Sequence, residues 1–255
     1  MGRTGRNAVF EMLPSVKDKY GIDFTIANGE NASGGLGMNR KGYEELSRAG
    51  VDFFTMGNHT FSKKEIISLF EEGENIVRPA NFPANAPGDG SAVINIGSGI
   101  KIAVANLIGQ VGIEAESTSP FEAALELSEK LSEKTPVIIV DFHAEATSEK
   151  EALGYFLDGK VSAVIGTHTH VQTADEKILP SGTGYITDAG RTGAYESVLG
   201  LDKDAAIARF TYAKGEKKPP FSVAKGKGQL CGVVLKINTE TGKTEEIIRI
   251  CLSEQ

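Results

Sequence analysis

The sequence predicts an α/β fold, and three observations carry that reading. Short apolar runs of strand type alternate with segments of helical period, the pattern of sheets covered by helices. Four of those runs end directly in polar motifs, so strand ends would deliver reactive side chains to loops, as open α/β sheets do at their carboxyl edge. The length of 255 residues suits one large domain. The chain is therefore read as a single domain over residues 1–255, with a lid or substrate-facing excursion near 190–228.

The elements follow in order. Residues 7–20 read as a helix in which Pro14 is a kink or break. Gly21 then punctuates before a strand at 22–27. Residues 40–49 and 62–72 read as helices on either side of a buried strand at 51–56, with Ser62 as the N-cap of the second helix. Residues 79–90 are a loop by composition. Strands at 92–96 and 100–105 are joined by the turn Gly97-Ser98-Gly99. Ser119-Pro120 opens a helix to about residue 134, with proline in its first turn. A strand at 137–140, a helix at 147–157 and a strand at 161–165 follow. Beyond Asp188 the texture changes. Residues 190–228 are rich in Gly, Lys and Pro, broken by a strand-like run at 205–210. The Lys-rich part, 214–227, reads as a solvated face able to attract an anion. A hairpin over 231–237 and 245–251 ends the pattern.

Charge and composition exclude some classes. A net charge of −7 argues against an extended nucleic-acid surface. A small phosphate substrate stays open, because a bound metal reverses the local sign. Cys231 and Cys251 are far apart in sequence and lack metal-type spacing, which fits a reduced, cytoplasmic protein. No apolar run approaches the roughly 20 residues of a membrane span, and no signal-peptide pattern is present. No membrane partner is therefore expected.

All four histidines lie in polar motifs at strand ends. His59 closes Gly57-Asn58-His59, and His143 closes Asp141-Phe142-His143. His168 and His170 share Gly166-Thr167-His168-Thr169-His170. The fourth strand end carries Asn28-Gly29-Glu30-Asn31. Glu30 has two oxygens and can bridge two ions, Asn58 offers an amide oxygen, and His168 and His170 can grip neighbouring ions from one loop. This set suits a two-metal phosphoesterase, with His59 placed to protonate a leaving oxygen. Each motif alone has an ordinary explanation: a hydrogen-bonded histidine, a turn asparagine, or, for Asp141, a helix cap or a residue orienting a histidine. The coincidence of four motifs at strand ends favours the metal site. Gly34-Gly35-Leu36-Gly37 matches neither a dinucleotide fingerprint nor a P-loop and reads as a mobile turn beside Glu30.

Gly57-Asn58-His59 and Gly166-Thr167-His168-Thr169-His170 resemble signature blocks of the calcineurin-like metallophosphoesterases. More narrowly, residues 28–31, 141–150 and 166–172, with Arg78-Pro79-Ala80-Asn81 and Thr187-Asp188, resemble the bacterial YmdB-type subfamily. The resemblance covers essentially the whole chain. It implies a metallophosphoesterase sandwich of two mixed β-sheets flanked by helices. It also implies hydrolysis of phosphodiesters, 2′,3′- and 3′,5′-cyclic nucleotides among them, with two divalent ions, iron or manganese. Carried over by motif, Glu30 bridges the metals, and Asn58, His143 and His168 complete one site. His170 belongs to the other site, His59 is the acid, and Asn31 lies beside the metals or the phosphate.

Two departures accompany the resemblance. The family opens with a strand ending in Gly-Asp-Ile-Val-Gly-Arg, whose Asp binds the first metal. Met1-Gly2-Arg3 aligns with the end of that block, so the strand and its Asp have no counterpart here; a start assigned at an internal methionine is the favoured explanation. The chain as written is then expected to hold about one metal, with impaired activity and a weakened sheet. Arg191 stands where the family has Met, at the substrate mouth. The expected partner is a small phosphodiester or nucleotide, and a homo-oligomer is compatible with the sequence. The alternatives are a broad phosphomonoesterase, or a metal-poor inactive relative acting as a nucleotide- or protein-binding regulator.

Overall fold

The computed structural model describes residues 1–213 and 215–254. The chain opens with α1 (Gly2–Tyr20), β1 (Ile26–Asn28), α2 (Arg40–Arg48), β2 (Phe53–Thr55), a 3₁₀ turn (Thr60–Ser62) and α3 (Ile66–Glu71). β3 (Ser91–Gly97), β4 (Ile100–Ile108), α4 (Pro120–Ser132), β5 (Ile138–His143), α5 (Thr147–Phe156) and β6 (Ala163–Thr167) follow. Then come β7 (Lys177–Ile178), β8 (Gly184–Ile186), β9 (Gly193–Ala194), α6 (Lys203–Thr211), β10 (Gly228–Ile237) and β11 (Thr244–Ser253).

The main sheet has the order β3-β4-β5-β6-β8-β7. Its inner pairs are parallel and its two edge pairs antiparallel. β5 is buried along its whole length, which is why it reads as an unbroken apolar run up to Asp141. Alternate residues of β4 and β5, such as Leu107, Val140 and Phe142, pack with Leu131 of α4 and Leu153 of α5. Ser119 caps α4 by accepting from the Glu122 N–H, and Pro120 occupies the first turn.

The second layer is two separate ladders. β1 and β2 pair in parallel, and β9, β10 and β11 form an antiparallel sheet. Leu13 and Val16 of α1, Leu46 of α2, Phe54, Met56, Leu230 and Ile250 share one apolar cluster that joins them.

Several elements differ from the sequence-based expectation. α1 begins at Gly2 and runs unbroken through Pro14. Pro14 faces solvent between buried Leu13 and Val16, so water can reach the carbonyl that the missing N–H leaves unpaired. The helix stops at Gly21, whose φ of 61° is left-handed. Ser62 caps nothing: it ends a 3₁₀ turn, Lys63 is extended, and α3 starts at Ile66. The run at 205–210 is helical within α6, where Asp202 accepts from the Ala205 N–H and the alanines favour helix. In the excursion at 190–228, Lys214 lies outside the described residues. The terminal hairpin places Cys231 opposite Cys251 with sulfurs 3.8 Å apart, a proximity their sequence separation hides.

Leu153 is 0 % exposed against the main sheet, whereas Phe210 is 88 % exposed on α6. We expect Leu153→Ala to lower the urea unfolding free energy by about 2–5 kcal/mol. Phe210→Ala should stay within about 0.5 kcal/mol of the parent. Equal effects would contradict this assignment of the core.

Candidate metal centre

β1 ends at Asn28, β2 at Thr55, β5 at His143 and β6 at Thr167. The site is built where these carboxyl ends meet. Asp141, buried on β5, accepts hydrogen bonds from Asn28 Nδ2 (2.9 Å), Thr167 Oγ1 (2.7 Å) and Thr55 Oγ1. Burial raises its pKa, against the opposing pull of His143 and these donors.

The histidine tautomers follow from the hydrogen-bond network. Thr167 Oγ1 gives its hydrogen to Asp141, so it accepts from His143 Nδ1, 2.9 Å away. His168 Nε2 lies 3.1 Å from Glu145 Oε2, and His170 Nδ1 lies 2.9 Å from the Leu199 carbonyl. Each ring thus spends one N–H on an outer acceptor and turns a bare nitrogen inward.

The bare Nε2 of His143 lies 3.0 Å from His168 Nδ1, 3.0 Å from Asn58 Oδ1 and 3.2 Å from Glu30 Oε1. With His143 neutral, four acceptors converge with no donor between them; without a metal, a proton shared between His143 and Glu30 is the alternative occupant. That arrangement is repulsive unless a cation occupies its centre, and nitrogen and oxygen donors fit a first-row divalent ion. Glu30, His143 and His168 form a metal-type group on their own. Gly57 lines the same space: a Cβ there would collide with His143 Nε2 and Glu30 Oε2.

Electrostatics agree with the geometry. Burial pushes Glu30 up, but the charge and hydrogen bond of His143 and the His59 backbone N–H outweigh it and hold Glu30 at about 2. Burial pulls His143 down, yet Glu30 and then Asp141 raise it overall, as they would attract any cation to that point. Burial, with the charge of His143, lowers His168 to about 4. Burial also lowers His170. The last two rings therefore stay neutral near pH 7, as ligation requires.

Not every expected residue sits in the knot. His170 stands beside it, linked through Asn31, whose Nδ2 lies 3.0 Å from Glu30 Oε1 and 3.1 Å from His170 Nε2. The His59 ring is next to Asn58, with Nε2 3.4 Å from Asn58 Nδ2, while its backbone N–H holds Glu30 Oε2 at 3.1 Å. Arg191 folds back onto Ala194 O and Ser197 Oγ. The Gly34–Gly37 turn is closed by Ser33 N–H to Gly37 O and Gly37 N–H to Glu30 O.

Sequence reasoning gave no role to Thr55, Thr167, Glu145, Lys150 or Asp188. All but Thr55 lie inside the motif blocks, which was the available signal. Lys150 Nζ and Asp188 Oδ2 are 2.9 Å apart, and both side chains are 1 % exposed. The same Asp188 oxygen accepts from Thr169 N–H (3.0 Å) and Oγ1 (2.7 Å). Thr169 lies between His168 and His170, whose φ values of 102° and 67° are unusual for residues with side chains. The buried ion pair thus clamps a strained turn that aims two histidines.

Comparison with known proteins gives a concordant picture. A family model described as "YmdB-like protein" matches residues 1–250. The chain is 48 % identical over 254 residues to the 2′,3′-cyclic-nucleotide 2′-phosphodiesterase of Bacillus subtilis (strain 168), covering 100 % of this chain and 94 % of that protein. The crystal structure of a hypothetical protein from Thermus thermophilus superposes with TM-score 0.91 at 40 % identity, covering 100 % of this chain and 96 % of that one. A phosphatase structure from Mycoplasma pneumoniae superposes with TM-score 0.89 at 38 % identity, covering 99 % and 90 %.

Gly57→Ala is expected to lower metal affinity by roughly 10–100-fold or more while keeping the circular dichroism of the parent; parent-like metal uptake would contradict the cradle. Lys150→Met leaves Asp188 buried without its counter-ion and should cost about 3–5 kcal/mol in urea unfolding. Lys150→Met with Asp188→Leu should regain part of that stability but not the metal affinity, because Thr169 stays unanchored.

Proposed function

The chain belongs to the YmdB-like family of calcineurin-like metallophosphoesterases, and we propose that it is a dinuclear phosphodiesterase. Its substrates are cyclic nucleotides, 2′,3′-cyclic, 3′,5′-cyclic or both, or similar small phosphodiesters. The observation that carries this reading is the knot of bare donors from Glu30, Asn58, His143 and His168. The name of the Bacillus subtilis relative supports the substrate class.

The family implies divalent metal ions. We assign two, iron or manganese, because three imidazoles with carboxylate and amide oxygens and no thiolate suit those ions. Glu30, Asn58, His143 and His168 would hold one tightly; Glu30 and His170, with Asn31 alongside, would hold the other weakly, having fewer protein ligands. When bound, the pair supplies Lewis-acid charge at the phosphate and acidifies water. The protein does the rest. Asp141 through Thr167 fixes the His143 ring, Glu145 fixes His168, and the clamp on Thr169 fixes the turn. His59, beside Asn58 and outside the knot, gives a proton from its ring to the leaving oxygen.

We read the chain as one domain in which the 190–228 excursion borders the site, since the Leu199 carbonyl meets His170. No helix among the described residues is long and apolar enough to cross a membrane; we place the protein in the cytoplasm.

The test is turnover of a 2′,3′-cyclic nucleotide before and after chelation, with bis-p-nitrophenyl phosphate and p-nitrophenyl phosphate separating diester from monoester chemistry. Activity should vanish with chelation, return with manganese or iron, and favour the diester. His59→Ala should keep its metal and lose about 10²–10⁴-fold on substrates with alkoxide leaving groups, because a general acid matters most there. Nitrophenolate substrates should suffer much less. Equal losses on both, or loss of metal, would make His59 a ligand or a structural residue.

A further inference from the structure

A second set of charges lies outside the metal knot. Arg3 and Arg6 of α1, Lys41 of α2 and Lys63 after the 3₁₀ turn line one cavity of about 270 Å³, together with Ser33 and Asn39. No carboxylate lines it, although the chain carries a net charge of −7. Two of the four cations are engaged. Arg6 pairs with Glu45 at 2.6 Å and also donates to the Ala32 carbonyl, while Lys41 reaches Glu45 at 3.8 Å. Arg3 and Lys63 make no ion pair among the described residues. Ser33 donates to Asn39 Oδ1 (2.7 Å), and that oxygen also caps the Gly42 N–H (2.9 Å). The Asn39 carbonyl oxygen is thus taken from behind, and its amide N–H groups have no protein acceptor among the described residues. Arg3, Lys63 and the Asn39 amide thus offer donors and positive charge that no ion pair or acceptor among the described residues answers.

Its place in the chain ties it to the metal knot. Ser33 follows Glu30 by three residues, and Lys63 follows His59 by four. Gly2, next to Arg3, gives its N–H to the Asn31 carbonyl at 2.9 Å. Three residues span at most about 11 Å, so the Ser33 side of the cavity lies within that distance of Glu30. Small-molecule pockets commonly measure about 300–1,000 Å³. This one is smaller, suited to a phosphate with part of a sugar rather than to a stacked base.

We propose that this cavity is a subsite for a second phosphate, so that the preferred substrate is a short oligonucleotide ending in the scissile cyclic phosphate rather than a free cyclic mononucleotide. The inference rests on the diesterase reading above. Arg3 would grip the neighbouring phosphate as a fork and Lys63 as a point charge, with Asn39 as a neutral donor. A single subsite of this kind is compatible with an acidic chain that has no long basic track.

The experiment compares kcat/KM for a 2′,3′-cyclic mononucleotide with that for a trinucleotide ending in a 2′,3′-cyclic phosphate. The parent should prefer the trinucleotide by about tenfold or more, the scale of one charge-assisted contact. That preference should shrink as salt rises. Arg3→Ala with Lys63→Ala should bring the ratio near one. Lys217→Ala with Lys218→Ala, which removes the same charge elsewhere, should keep it. A ratio near one in the parent, or the same loss in both double variants, overturns the proposal. A second arm is independent of turnover: fluorescence polarisation of a fluorescein-labelled trinucleotide 3′-phosphate on chelated protein. Weaker binding by the Arg3/Lys63 variant supports the subsite even if neither substrate is hydrolysed, which would sink only the diesterase reading. Equal binding by parent and variant overturns the subsite whatever the kinetics show.

Discussion

Asp141 accepts hydrogen bonds from the ends of β1, β2 and β6 while sitting on β5. Those donors come from both layers of the fold, so one buried carboxylate fixes the small parallel ladder against the main sheet. The same carboxylate takes the Thr167 hydrogen and thereby makes the Thr167 oxygen an acceptor for His143 Nδ1. That step leaves His143 Nε2 as a bare lone pair facing Glu30, Asn58 and His168. The tautomer on which the site depends is therefore set two hydrogen bonds away from it, by a residue that touches none of the converging atoms. A buried donor left unpaired costs about 1–3 kcal/mol, and Asp141 relieves three of them at once.

The turn carrying His168 and His170 has a complementary design. Both residues hold left-handed backbone, a strain of order 1–3 kcal/mol each that persists only where the surroundings enforce it. Asp188 supplies that enforcement through Thr169, and Lys150 holds Asp188 from the other side at 2.9 Å in a place water does not reach. Gly57 contributes by absence, leaving open the space that Glu30 and His143 share. Strain, a buried ion pair and a missing Cβ converge on one small volume, the pattern expected where function rather than stability has shaped the chain.

Much of this was legible in the sequence. Glu30, Asn58, His143 and His168 were each marked by a polar motif after an apolar run, and the sheet brings them together because parallel strands open their carboxyl ends on one side. What stayed hidden was non-local. The bond from Thr55 to Asp141 spans 86 residues, and no local pattern announces it. The run at 205–210 reads equally as strand or helix by apolarity; Asp202 as a cap decides it, from three residues upstream. Strands of two or three residues, such as β7 and β9, carry too few side chains to show a period. The cross-strand meeting of Cys231 and Cys251 depends on hairpin register, which spacing alone does not give.

The converging nitrogens and oxygens of Glu30, Asn58, His143 and His168 are read as metal ligands. Anomalous diffraction at the manganese and iron edges, on crystals grown with those ions, tests that reading most directly. A strong peak is expected among Glu30, Asn58, His143 and His168, and at most a weak one between Glu30 and His170. Crystals in which those volumes stay free of anomalous signal, with His143 and Glu30 sharing a proton instead, would contradict it.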